Sequence, residues 1–69
     1  MKYNFQVGDL FVSNFPGQPS RTGIIVKFND KLSYPYYIEW INVSSGHYKE
    51  YEIIDFIKNK SITYFPVVK

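Results

Sequence analysis

The chain has 69 residues, a formal net charge of +2 and no cysteine, and 45% of its residues are hydrophobic and 20% aromatic. A chain this short forms one small domain, and without cysteine neither disulfide bonds nor thiolate–metal bonds can stabilise it. We therefore expect a single domain over residues 1–69 whose core is packed with large aromatic side chains.

The charge and hydropathy patterns exclude several classes of protein. No run of like charges marks a nucleic-acid-binding tail, and no stretch reaches the roughly 18 apolar residues of a membrane span. Residues 1–4 lack the apolar segment of a signal peptide. We expect a cytoplasmic protein that does not bind membranes.

The first strand is predicted over residues 9–13, which are rich in strand-forming side chains. Alternation alone leaves two orientations open, with either Leu10 and Val12 or Phe11 and Ser13 facing the core. Hydrophobicity favours Leu10 and Val12.

Residues 14–21 contain two prolines and a glycine, which predicts a long surface loop. Long loops in small domains often carry function. Two roles remain open for Phe15, an exposed anchor for a partner or a cover over the open end of a small barrel. Arg21 either binds a phosphate or carboxylate group or is simply solvated.

The second strand is predicted over residues 22–28, and we expect it to be the central strand of a small, strongly bent sheet. Alternation places Ile24, Val26 and Phe28 on one face, which we predict to be the core face. Gly23 indicates a kink or a close approach of another group to the backbone.

A turn over residues 29–33 precedes a third strand, predicted over residues 34–41. Its two-residue period places Tyr36, Ile38 and Trp40 on one face, and we predict that they belong to the core.

The remaining elements are short. After a turn over residues 42–46, a fourth strand is predicted over residues 47–51 and a last strand over residues 62–65. Residues 52–58 have helical spacing but are too few for an independent helix. They predict a single 3₁₀ or α turn that covers one end of a small barrel-shaped sheet.

No catalytic or metal-binding pattern is present in the sequence. His47 is the only histidine, so a catalytic triad would depend on it alone, with Asp55 or Glu52 as its partner. The carboxylates have no recognisable calcium or magnesium spacing, and the glycines form neither a phosphate loop nor a dinucleotide fingerprint. We expect neither an enzyme nor a bound cofactor.

Three segments resemble a known pattern: VGDLFV at residues 7–12, GIIV at residues 23–26 and YIEW at residues 37–40. The pattern is shared by KOW and Tudor-like domains and by small SH3-like proteins of tailed bacteriophages, and the resemblance covers residues 5–58. It implies an all-β fold, a small five-stranded SH3-like barrel with one short helical turn before the last strand. A phage-encoded member would be found in the host cytoplasm or in the virion.

This chain departs from the relatives that bind known ligands. KOW domains that bind RNA tend to have a basic first loop, whereas residues 13–21 supply only Arg21. Tudor domains that read methylated lysine or arginine use an aromatic cage with an acidic or amide residue. The sequence contains many aromatic residues but does not assign any set of them to a cage.

The aromatic residues exceed what so small a core can hold, so some of them must lie on the surface. Tyrosine, tryptophan and arginine dominate the energetics of protein interfaces. We predict a partner-binding surface that includes Phe15, Arg21, Tyr34, Tyr37, Tyr48 and Tyr51. The alternative is that the tyrosine rings lie along the domain with their hydroxyl groups in water.

Two functions follow from these residues. The first is a non-catalytic binding module that contacts another protein or a second copy of itself, as an accessory or structural component of a phage-like system. The second is a nucleic-acid-binding KOW- or Tudor-like module, in which bases stack on exposed rings beside lysines.

Overall fold

The computed structural model describes residues 3–67, which form five strands and one helix. The elements in chain order are β1 Leu10–Ser13, β2 Thr22–Phe28, β3 Tyr36–Trp40, β4 Gly46–Tyr48, α1 Glu50–Lys58 and β5 Ile62–Phe65. Residues 14–21 form an irregular loop, as predicted. No helix within residues 3–67 is both long and apolar enough to cross a membrane.

The five strands form one antiparallel sheet in the order β4-β3-β2-β1-β5. The prediction that β2 is the central strand is therefore confirmed, as is a mainly β fold with one short helix before the last strand. β4 and β5 are the edges of the sheet. Within residues 3–67 no strand pairing joins these edges, so the sheet is not closed as a barrel.

The core lies on one face of the sheet, where α1 packs against β5. Every element except β4 contributes a buried side chain, and β4 contributes the half-buried Tyr48. The buried apolar residues are Phe5, Phe11, Ile25, Tyr36, Ile38, Ile53 and Ile62. The predicted core face of β3 is confirmed, because Tyr36 and Ile38 are buried and Trp40 packs against the core.

The predicted core faces of β1 and β2 are wrong. Phe11 and Ile25 are 0% exposed, whereas Leu10 is 40% and Ile24 37% exposed. Successive side chains of a strand point to opposite faces, so an error of one position moves the whole set to the wrong side. The residues predicted to face the core are exposed or half-buried, namely Leu10, Val12, Ile24, Val26 and Phe28.

The chain around α1 also differs from the prediction. β4 ends at Tyr48, and α1 has nine residues instead of a single turn, so the end of the predicted fourth strand belongs to the start of the helix. The backbone N–H of Lys49 donates a hydrogen bond of 2.8 Å to the Glu52 carboxylate. This bond, together with the burial of Ile53, stabilises a helix that would not form alone.

Asp9 connects two parts of the chain that are distant in sequence, its own segment and the segment from β5 onwards. Its side chain is 1% exposed. Its Oδ2 accepts hydrogen bonds of 2.8 Å from the Gln6 N–H and from the Tyr64 hydroxyl, and its Oδ1 accepts one of 2.8 Å from the Val67 N–H. These bonds hold the segment before β1 and the segment after β5 against the same end of the sheet.

Candidate partner-binding pocket

An open pocket of about 240 Å³ lies between the 14–21 loop, the β3–β4 connection and α1. Four aromatic side chains from four parts of the chain line it: Phe15, Trp40, Tyr48 and Phe56. We call this site the aromatic pocket. A wider depression, of about 490 Å³, lies near Tyr3, but none of the predicted site residues lines it.

Trp40 forms a wall of the aromatic pocket and is held from two sides. It is paired across the sheet with Gly23, where an added Cβ would lie 2.6 Å from the indole ring. The close approach predicted at this glycine is therefore confirmed. On the other side, the Trp40 indole N–H donates a hydrogen bond of 3.1 Å to the Tyr48 hydroxyl. These contacts fix the orientation of both rings before any ligand binds.

Arg21 is held at the base of the 14–21 loop by Ser13. The Ser13 N–H donates to the Arg21 carbonyl at 2.8 Å, and the Arg21 N–H donates to the Ser13 hydroxyl at 2.9 Å. The guanidinium group donates a longer bond, of 3.4 Å, to the carbonyl of Asn42. Arg21 therefore lies between the aromatic pocket and a neighbouring depression of about 240 Å³, which Asn42 also lines.

Three of the six residues predicted to bind a partner line this pocket: Phe15, Arg21 and Tyr48. Phe15 is 42% exposed, so it does not fold away over the core. Tyr48 is half-buried, with its ring packed against the core and its hydroxyl group bonded to Trp40.

The other three predicted residues lie elsewhere, in two groups. Tyr34 and Tyr51 flank Lys49, whose ammonium nitrogen lies 4.9 Å from the centroid of the first ring and 5.7 Å from that of the second. Tyr37 lies beside His47, with 4.7 Å between the ring centroids. The structure thus does not unite the six residues in one surface.

Sequence reasoning missed two walls of the aromatic pocket. Trp40 is predicted to belong to the core, and Phe56 lies within the predicted helical turn, yet both are half-buried and line the pocket. No local pattern joins them, since Trp40 is on β3 and Phe56 is on α1, and the fold connects them through Tyr48, which contacts both. The one signal in the sequence is Gly23, which predicts a close approach to the backbone but does not identify Trp40 as the group that approaches.

Within residues 3–67, no three or more His, Cys, Asp or Glu side chains are close enough together to hold a metal ion. The chemistry that the pocket offers is therefore apolar contact, hydrogen bonding and the charge of Arg21. No protein family, no curated protein and no solved structure matches this chain.

Proposed function

We propose that the chain is a non-catalytic binding module that holds a segment of another protein in the aromatic pocket. The observation that carries the proposal is the meeting of four aromatic side chains around one concavity, two of them joined by a hydrogen bond. Aromatic side chains fixed in advance lose little conformational entropy on binding, which is why they dominate protein interfaces.

The size of the pocket favours a side-chain anchor over a cofactor. Sites for cofactors and drug-sized ligands typically have volumes of about 300–1,000 Å³. The aromatic pocket, at about 240 Å³, is smaller than these and is open on one side. It suits one or two side chains of a polypeptide, with the rest of the partner lying on the surrounding surface.

The order of the elements supports the further proposal that the chain is an SH3-like protein. A long loop after the first strand, a central second strand and a helix before the last strand agree with the layout that the sequence resembles. The open edges of β4 and β5 are where this chain differs from a closed barrel. A role as an accessory or structural component of a phage-like system rests on the resemblance alone.

A selection from a library of random peptides, displayed both internally and with free C-terminal ends, tests the binding function. We expect enriched peptides whose affinity falls at least tenfold with Phe15→Ala. Phe28→Ala is the matched control, because Phe28 is similarly exposed, at 49%, and does not line the pocket. Failure to enrich any peptide, or equal loss with both variants, would contradict the proposal.

Nucleic-acid binding is the second candidate, and the cluster of Tyr34, Lys49 and Tyr51 favours it. Two exposed rings flank a cation there, which is the combination on which single-stranded bases stack. Fluorescence anisotropy with single- and double-stranded oligonucleotides at two salt concentrations distinguishes the candidates. Affinity that falls steeply with salt and is lost in Lys49→Ala would support this second function.

Self-association through the outer face of the sheet is a separate candidate, in which a second copy of the chain is the partner and the aromatic pocket is not involved. Leu10 is paired with Ile24 on one side and with Phe65 on the other, so three exposed apolar side chains form a row across three strands. Sedimentation of the wild type and of Ile24→Glu at increasing concentration would detect such dimers.

A further inference from the structure

Three polar side chains of the aromatic pocket, those of Arg21, Tyr48 and Ser13, have donors available for a ligand, whereas Gln18 and Ser44 can donate or accept. Arg21 carries only donors on its side chain. The Tyr48 hydroxyl already accepts a bond from Trp40, and the Ser13 hydroxyl already accepts one from the Arg21 N–H, so each can still donate its own hydrogen. A ligand that satisfies these groups must bring acceptors.

The charge of the pocket also favours a ligand that carries acceptors. Arg21 is the one charged side chain among the described residues that line the pocket, and no carboxylate there neutralises it. Its bond to the Asn42 carbonyl, at 3.4 Å, is near the limit of hydrogen-bond length and leaves further N–H groups of the guanidinium available. A guanidinium group pairs with a carboxylate through two parallel hydrogen bonds.

The aromatic walls alone would also suit a cation, because ring faces attract ammonium groups. A pocket of this volume is roughly 8 Å across, about one Debye length at physiological ionic strength, so Arg21 would repel any cation bound in it. No acidic side chain among the described lining residues offsets that repulsion. The pocket therefore disfavours a cationic ligand.

From these observations we infer that the aromatic pocket captures the C-terminal residue of a partner protein, with its apolar side chain between the rings and its terminal carboxylate on Arg21. This inference rests on the proposed binding function and names the partner's chemistry. A C-terminal residue carries a carboxylate and a side chain on the same carbon atom, so the side chain can enter the pocket while the carboxylate reaches Arg21.

The test is a titration of the isotope-labelled protein, followed by NMR, with N-acetyl-glycyl-phenylalanine that has a free carboxylate. We expect shifts at the indole N–H of Trp40 and the guanidinium N–H of Arg21. The same dipeptide with a C-terminal amide should bind at least tenfold more weakly. Arg21→Gln should reduce the acid to the affinity of the amide, and Arg21→Lys, which keeps the charge, should retain part of the difference.

Several results would overturn the inference. They are equal binding of the amide and the acid, tighter binding of an N-acetyl-trimethyllysine amide, or binding of inorganic phosphate as tight as that of the acid. If the dipeptides fail while the library returns peptides that depend on Phe15, the C-terminal specificity is wrong and the binding function stands. If the library also returns nothing, both are wrong.

Discussion

Gly23 and Trp40 face each other across β2 and β3 so closely that a Cβ on the glycine would lie 2.6 Å from the nearest ring carbon. The two nearest further ring atoms would both lie at 2.8 Å. No side chain larger than hydrogen fits at this position unless the indole moves. The shape of the aromatic pocket therefore depends on the absence of a side chain in the neighbouring strand.

Gly23→Ala should push the indole out of its place and decrease the free energy of unfolding by about 1–3 kcal/mol, the usual cost of overpacking. Because the chain has one tryptophan, its fluorescence reports the displacement directly. Gly46→Ala is the control, since a Cβ there would lie 3.6 Å from Tyr48, an ordinary contact. Equal effects of the two substitutions in urea unfolding would contradict the prediction.

The adjacent isoleucines of β2 should differ sharply in their contribution to stability. Ile25 is 0% exposed, and Ile25→Ala should cost about 2–5 kcal/mol because it leaves a cavity in the core. Ile24 is 37% exposed on the outer face, and Ile24→Ala should cost less than about 1 kcal/mol. Urea unfolding measures both.

A loss as large as that expected for Ile25→Ala can unfold a small domain completely. The milder substitutions Ile25→Val and Ile24→Val keep the comparison measurable. Ile25→Val should lower the free energy of unfolding by about 0.5–1.5 kcal/mol, and Ile24→Val should not lower it comparably. Similar costs at the two positions would show that the orientation of β2 described above is wrong.

The same isoleucines show what the sequence could and could not predict. The strands were found because proline, glycine and other turn-forming residues separate the apolar runs. The face of β3 was found because Glu39 interrupts its apolar residues. The Leu10–Val12 and Ile24–Val26 runs are apolar at every position, so nothing in them distinguishes the two faces.

The site was less predictable than the fold. Phe15, Arg21 and Tyr48 could be chosen as surface candidates by residue type, but their meeting with Phe56 depends on the position of α1, which packs against β5. The sequence places Asp9 at the start of the first strand and gives no sign of its buried bonds. Two of its partners lie 55 and 58 residues away, a separation that no local pattern detects.

Asp9→Asn should be strongly destabilising although it hardly changes the size of the side chain. It replaces one acceptor oxygen with an NH₂ group, which then faces a backbone or hydroxyl donor at a site that is 1% exposed. A buried group left without a partner costs about 1–3 kcal/mol. The exposed Asp30 provides the control, and Asp30→Asn should change the free energy of unfolding by less than about 0.5 kcal/mol. Equal effects of the two substitutions in urea unfolding would mean that the Asp9 bonds do not stabilise the fold.

Two tyrosines of the core region should make the fold sensitive to alkaline pH. Burial, followed by the hydrogen bond and the charge of Asp9, raises the pKa of Tyr64 well above its ordinary value of 10.0. Burial, with smaller effects from Glu50 and Asp9, also raises the pKa of Tyr36. In both cases the folded protein keeps a proton that the unfolded chain loses at a lower pH.

The sign of the effect on stability follows from this difference. Below pH 10.0 the phenol is protonated in both states, so the stabilisation is fully present. Above that pH the unfolded chain binds fewer protons than the folded protein. The free energy of unfolding should therefore fall as the pH rises from the ordinary value towards the raised one.

Urea unfolding of the wild type and of Tyr64→Phe between pH 8 and pH 11 measures this dependence. The variant should be less stable at pH 8, where it lacks the bond to Asp9, but should lose less stability on the way to pH 11. Tyr51→Phe is the control, because that ring is 60% exposed and the substitution leaves Asp9 untouched. Lysines lose their charge over the same range in all three proteins, so only the differences between them are informative. A decline as steep in Tyr64→Phe as in the wild type would show that the Tyr64 hydroxyl does not hold its proton in the folded state.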